Sequence, residues 1–545
     1  MKSELLLGDE AVGLGAIHAN IGGAFSYPGT PATEIFEYIA DHATETGAIS
    51  ARWSANEKVA YEEALGMSYA GRRAIVSMKH VGMNVAADPF LNSALTGVNG
   101  GLVVVVADDP GMHSSQNEQD TRYYAEFAQI PLLEPGNQQD AYDLTHGAFE
   151  LSEKFGLPIL VRVVTRLAHS SANVRIQPPG ARGESRGPGG NGRLPRPDPN
   201  NWTLVPSNAR RRYRRLLDMQ PALLEWSNKN PRNELSLTGR RGIIASGIAY
   251  NYVREALGAH REDFSLLRIA SYPLPVERLR ALVDHCDEIF VIEEGYPFIE
   301  RRLNGLLGLP GKAVHGKLNG NLPPDGELTP DLVATALGLS YRVPTPTVAD
   351  LTGRPTALCR GCPHADTFKA IIDATAKYPD AILFSDIGCY TLGVLPPYRA
   401  VHSCVDMGSS IAMAHGAAQA GAFPVLCTIG DSTFAHSGMT PLIGAARANA
   451  DMTVFVLDNA TVAMTGGHGT MTAGQELLDL IAGLGVKKEY LHVIDPLAKN
   501  HATNVDVVTK AINHRGLDVI VAQRECIHTM RKSVTKPPVA IENGE

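Results

Sequence analysis

The sequence predicts an α/β protein built from three blocks of alternating strands and helices. Three observations carry that prediction. Val- and Ile-rich apolar runs are too short to be helices, helical segments lie between them, and composition breaks sharply after residue 172. Short strands with helices between them imply parallel sheet covered on both faces. At 545 residues the chain is also too long for one hydrophobic core.

In order along the chain, the first block spans 1–172. Its strands are expected at 74–78, 101–107 and 157–164, and its helices at 56–70 and 138–155. Residues 173–240 read as a Pro/Gly/Arg-rich linker, because QPPGARGESRGPGGNGRLPRPDPNN has little to bury. The basic run Arg210, Arg211, Arg212, Arg214 and Arg215 reads first as a solvated helix start or subunit contact, and second as a grip on a phosphate-bearing ligand. A smaller domain follows at 241–345, alternating RGIIASG, AYNYVREAL, SLLRIAS, PVERLRALVDHC and DEIFVIEEG. The third block spans 355–528, and 529–545 is a polar tail.

Bulk properties exclude some partners. A net charge of −8 gives no electrostatic reason to bind nucleic acid or an anionic membrane. The N-terminal MKSELLLGDEAVGLGA lacks the features of a signal peptide, and no apolar run approaches a bilayer span. A cytoplasmic location is the default, and seven cysteines there are not expected to form disulfides.

The strongest motif lies in the third block. PVLCTI reads as a strand ending at Gly430, Asp431 and Ser432, and MTVFVL as a second strand ending at Asp458 and Asn459, with a helical segment between. In a parallel sheet both tips open on the ligand-binding edge. Asp431, the side-chain oxygen of Asn459 and a carbonyl near Thr461 then offer three ligands to Mg²⁺, leaving positions for diphosphate oxygens and water. Gly430 allows a tight turn beneath the phosphates. This is similar to the diphosphate–metal pattern of thiamine-diphosphate enzymes, with 26 residues, 433–458, between its halves.

Thiamine chemistry also needs a carboxylate at the pyrimidine ring. Glu57, at the start of a helix in WSANEKVAYEEALGMSYAG, is the candidate; an N-terminal acid favoured by the helix dipole is the other reading.

Longer motifs in both blocks carry a resemblance. The first contains YPGTPATEI, WSANEKVA, MKHVGMNVAADP and DDPGMHSSQNEQDTRYYAEFAQIPLLEP; the third contains CRGCPH, SDIGCYTLG, GDSTFAHSGM and LDNATVAMTGG. In this order they resemble the indolepyruvate:ferredoxin oxidoreductase α-subunit family, within the thiamine-diphosphate-dependent 2-oxoacid oxidoreductase superfamily, to about residue 528.

The resemblance implies a pyrimidine-binding first domain, a transketolase-C-terminal-like middle domain and a diphosphate-binding third domain. Glu57 would face the aminopyrimidine and Thr30 the substrate carboxylate, with His80, His113 and His436 as pocket residues by motif alone. Gly388, Gly430, Asp431, Ser432, Asn459, Thr461 and Met464 would line the cofactor. Met464, where pyruvate-acting relatives tend to have Asn, favours an arylpyruvate.

Cys359, Cys362, Cys389 and Cys526 follow the ligand pattern of relatives with a [4Fe–4S] cluster; Cys404 is a substitute fourth ligand, and zinc or free buried thiols are the other readings. Arg360 stands where the family often has Pro. Members usually continue into a ferredoxin-like domain with further four-Cys sets, whereas no Cys follows Cys526 in this sequence, so electrons would leave through another protein.

The expected reaction is oxidative decarboxylation of an arylpyruvate to arylacetyl-CoA. The expected partners are a smaller β subunit, a second copy of the chain, and ferredoxin or another electron carrier. A non-oxidative decarboxylase or carboligase, and a non-catalytic scaffold subunit, are the rival readings.

Overall fold

The computed structural model describes residues 2–176, 198–341 and 356–530. The chain divides into two compact units, 1–347 and 348–545. The centre of the expected linker and nearly all of the expected tail lie outside the described residues.

The first unit is organised around a seven-stranded sheet. Its order is Ser271–Tyr272, Leu132–Leu133, Ile159–Val164, Leu102–Asp108, Ala74–Lys79, Gly23–Ser26 and Ser50–Trp53. All neighbours are parallel except the first pair. Val103, Val104, Val105 and Val106 are fully buried, as a strand covered on both faces requires. The helix Glu57–Tyr69 begins where the Asn56 side chain accepts the Val59 amide at 2.9 Å. That cap satisfies one of the free amides of the first turn and is worth about 1 kcal/mol.

A second, five-stranded sheet in the same unit runs Ala313–His315, Glu288–Ile292, Arg241–Ser246, Phe264–Ile269 and Leu235–Ser236. It corresponds to the expected middle block. This block is joined to the first in two ways. Ser271–Tyr272 extends the seven-stranded sheet, and a buried ionic network crosses between the blocks. Arg122 binds Asp120 (Nε–Oδ1 2.9 Å) and Glu293 (2.7 Å), while Arg162 binds Asp108 (2.6 Å) and Glu134 (2.5 Å). Tyr272 donates to Glu134 at 2.6 Å, and the Ile299 and Glu300 amides donate to Glu293. The long 108–135 motif thus supplies the ionic joint between two sheets.

The edges of the expected linker are ordered. Ser171–Ile176 pairs antiparallel with Lys2–Leu7, because the N-terminal strand supplies the partner that composition alone does not reveal. Pro206–Lys229 forms a helix with Pro in its first turn. Within the basic run, Arg212 is buried and donates to the Leu95 and Thr96 carbonyls, so that side chain anchors the helix; Arg210, Arg211 and Arg214 are exposed.

The second unit carries a six-stranded, all-parallel sheet. Its order is Ser403–Cys404, Ile382–Ser385, Val425–Gly430, Met452–Asp458, Leu517–Gln523 and Leu491–Ile494. Between its two central strands a short helical turn, Asp431–Thr433, opens into a wide π-helical turn, Phe434–Gly438, before the helix Met439–Ala448. Among the described residues no helix is long and apolar enough to cross a membrane.

Candidate active site

In the second unit, Gly430 pairs with Leu457, so Asp431 emerges beside Asp458 and Asn459 at adjacent strand tips. The two acids at this edge differ. Asp458 Oδ2 accepts from the Gly474 amide at 2.8 Å and from Gln523 Nε2 at 3.0 Å. Asp431 is 2% exposed; its Oδ1 accepts from the Ser432 amide at 2.8 Å, and its Oδ2 is buried with no hydrogen-bond partner among the described residues. Burial pushes its carboxyl up to about 7, against the Ser432, Ala460 and Asn459 amides that favour the charged form. A buried carboxylate left this way has a high cost unless a cation meets it.

Asn459 is buried, with Oδ1 accepting the Thr461 amide at 3.2 Å and Nδ2 lying 3.3 Å from His364 Nε2. Ala460, at φ +57°, turns the chain sharply between Asn459 and Thr461. Thr461 is buried and donates to the His468 carbonyl at 2.9 Å. A Cβ at Gly430 or Gly388 would strike the Tyr390 ring, at 2.8 and 2.4 Å, so both glycines permit the ring to pack beneath the edge. The orphaned oxygen, with the backbone amides of the Asn459–Ala460 turn nearby and small residues beside it, fits a hard cation and a diphosphate.

The four expected cluster thiols also converge. Cys359, Cys362, Cys389 and Cys526 line one cavity of about 180 Å³ together with His364 and Asn459, whereas Cys404 sits apart, 3.9 Å from the Thr391 hydroxyl. Burial, with the neighbouring thiols adding to it, pushes Cys389 up to about 11. No three of these sulfurs fall within 4.8 Å of one another. Four thiols at one cavity is the ligand number taken by an iron–sulfur cluster or a zinc ion.

In the first unit, Thr30, Glu57 and His80 gather at the carboxyl edge of the seven-stranded sheet. Glu57 is buried, and a Cβ at Gly82 would fall 2.6 Å from its Cγ, so that glycine makes room for the carboxylate. His80 is fully buried, with Nε2 3.2 Å from the Asn117 carbonyl and no partner for Nδ1 among the described residues. The Thr30 carbonyl accepts from Ser114 Oγ at 3.3 Å. His113 is half exposed, near Glu327; His436 is buried, 2.6 Å from Ser437 Oγ. Met464 is 57% exposed, lying in a short turn outside the core.

Sequence reasoning overlooked two residues. Lys79 ends the strand Ala74–Lys79 and is 8% exposed, with Nζ donating to the Ser114 carbonyl at 2.6 Å. Burial pushes its ammonium down to about 8, with Asp109 opposing. A Lys closing an otherwise apolar strand was the available signal. His364 is buried between the four-thiol cavity and Asn459, and burial alone pushes it down to about 4. Its place directly after the CxxC was the signal there.

Comparison with known proteins matches this geometry. The family described as "Thiamine pyrophosphate enzyme, C-terminal TPP binding domain" fits residues 386–529. "Pyruvate flavodoxin/ferredoxin oxidoreductase, thiamine diP-bdg" fits 14–201. The indolepyruvate oxidoreductase subunit IorA of Archaeoglobus fulgidus is 38% identical over 96% of this chain and 86% of that protein. The chain belongs to the indolepyruvate oxidoreductase IorA family. Its IorA relative in Methanothermobacter thermautotrophicus is 36% identical over 96% of this chain and 86% of that protein. The fold is shared with a solved 2-oxoglutarate:ferredoxin oxidoreductase from Magnetococcus marinus, at TM-score 0.50 and 20% identity, covering 62% of this chain and 65% of that one. Membership makes the chain the α subunit of a 2-oxoacid oxidoreductase with thiamine-diphosphate-binding domains.

Proposed function

We propose that this IorA-family chain catalyses oxidative decarboxylation of an arylpyruvate. With coenzyme A as co-substrate, the products are an arylacetyl-CoA, CO₂, a proton and two electrons, the electrons delivered one at a time to an external carrier such as ferredoxin, with a smaller subunit and a second copy of the chain in the assembly. The observation that carries the reading is Asp431, whose buried, unpartnered oxygen faces the Asn459 turn.

When bound, thiamine diphosphate with Mg²⁺ and a [4Fe–4S] cluster would supply, respectively, a carbon nucleophile with an electron sink and single-electron transfer. Asp431 and Asn459, with a carbonyl near Thr461, are the ligands we assign to the metal; Gly388, Gly430 and Ser432 border the diphosphate. Glu57 holds a proton at the pyrimidine ring from a buried helix start. Lys79 and Thr30 orient the substrate carboxylate, since a buried ammonium beside neutral oxygens is poised for an anion. Cys359, Cys362, Cys389 and Cys526 hold the cluster, and the His364 ring fills the space between that cavity and Asn459.

The test is the anaerobically purified complex. Roughly four irons and four sulfides per chain are expected, with faster turnover on arylpyruvates than on pyruvate. Glu57→Gln should lower kcat by about 10²–10⁴-fold while thiamine diphosphate stays bound. An iron-free complex that still oxidises its substrate would refute the cluster, and an unimpaired Glu57→Gln enzyme would refute the catalytic role.

A further inference from the structure

A second group of ligating side chains lies in the first unit, made from three segments far apart in sequence. Asp9 belongs to the helix Gly8–His18, Glu34 to the helix Thr33–Thr46, and His169 follows the turn Thr165–Ala168. Their ligand atoms all lie within 4.8 Å of one another, the only such trio among the described residues. The backbone forces two of them together. Leu7 pairs with Ser171, the Gly8 amide donates to the Ser170 carbonyl at 3.1 Å, and a Cβ at Gly8 would collide with the Leu167 carbonyl. Asp9 and His169 therefore cannot separate without unpairing the strands Lys2–Leu7 and Ser171–Ile176.

We propose that Asp9, Glu34 and His169 form a divalent-cation site, matched best to Zn²⁺. The decisive group is Asp9. It is fully buried, both carboxylate oxygens lack a hydrogen-bond partner among the described residues, and the carboxylate lies within reach of the other two ligands. Its surroundings make this worse, since Glu34 and Glu10 add further negative charge. Facing these acids, His169 supplies one imidazole. A buried carboxylate among acids calls for a positive charge.

Geometry selects the ion. His169 Nε2 stands 3.6 Å from Glu34 Oε2, within ion-pair range but long for a hydrogen bond. Two ligands at about 2.0–2.1 Å from one tetrahedral zinc stand roughly 3.4 Å apart. One imidazole and two carboxylates suit zinc better than the all-oxygen preference of Mg²⁺ or Ca²⁺. His169 and Glu34 are partly exposed, so solvent reaches the remaining position. The ion would clip the N-terminal helix to the start of the helix that follows the Thr30 loop, closing two long chain loops at once.

The probe is Zn²⁺ added to the chelator-treated complex, read by zinc per chain after gel filtration and by Tm. Wild type should retain about one zinc more per chain than Asp9→Asn or His169→Gln. Zinc in about 100-fold excess over its Kd should raise the Tm of wild type by a few degrees and leave both variants unmoved. Equal thiamine diphosphate content in all three checks that the fold is intact. If Asp9→Asn misfolds, the partly exposed His169→Gln decides alone. Equal zinc retention in wild type and His169→Gln overturns the proposal. So does an Asp9→Asn variant more stable than wild type whether or not zinc is present, because Asp9 would then be a neutral buried acid.

Discussion

Buried acids are treated in opposite ways at the ionic joint of the first unit and at the strand tips of the second. In the first, Asp108, Asp120, Glu134 and Glu293 surround Arg122 and Arg162, and every one of these acids has a cationic partner within 2.9 Å. In the second, Asp431 is as deeply buried, yet the charge that acts on it is another acid, Asp458. Asp120 shows the consequence, although burial still outweighs the arginines at Asp108 and Glu293. Asp120, despite the burial that raises it, is held below its usual range by Arg122 and Arg162, whereas burial pushes Asp431 up to about 7. Acids already satisfied within the chain build architecture. An acid the chain leaves unsatisfied marks where something from outside belongs.

Breaking the first pattern should have the largest effect. Arg122→Ala strands Asp120 and Glu293 in a dry interior and removes one joint between the two sheets of the unit. We expect a loss of about 3–5 kcal/mol, seen as a large fall in Tm, with the second unit's cofactor content per folded chain unchanged.

Removing the unsatisfied acid should do the reverse in cofactor-free protein. The folded pKa of Asp431 lies above the unfolded value, so the folded chain holds the proton more tightly. Wild-type stability should therefore fall relative to Asp431→Asn as pH rises from about 4 to about 7, then level off, a total of about 4 kcal/mol. Chemical denaturation at several pH values measures it. A difference independent of pH would mean that Asp431 is satisfied in a way the geometry does not reveal.

Lys79 is the cationic counterpart, buried beside neutral oxygens rather than held in a close ion pair. Lys79→Met should lower kcat/KM for a 2-oxoacid by roughly 10²-fold with thiamine diphosphate affinity unchanged, because a charge-assisted contact of about 2–3 kcal/mol is lost. An unchanged kcat/KM would return Lys79 to a purely structural role.

Much of this was legible in the chain because local chemistry and fold agree. The apolar strand Leu102–Asp108, the helix start at Glu57, and the GDS and DN strand ends each state their position within a few residues. What was not legible depends on convergence. Nothing in spacing joins Asp9 to Glu34 and His169, or Arg122 to Glu293; only the fold brings them together. The start of the linker was misplaced for the same reason, since residues 173–176 become a strand only by pairing with the N-terminus. Met464 is read differently by motif and by burial. A motif position suggested a pocket side chain, but the turn carrying it leaves the thioether largely in solvent.

The central claim is that Asp431 and Asn459 hold the ion that clamps a diphosphate. Calorimetric titration of thiamine diphosphate into cofactor-free complex, with and without Mg²⁺, tests it most directly. Wild type should bind only when Mg²⁺ is present, and Asp431→Asn should bind at least about 100-fold more weakly under the same conditions. Equal affinity in wild type and variant, or binding indifferent to Mg²⁺, would contradict the account.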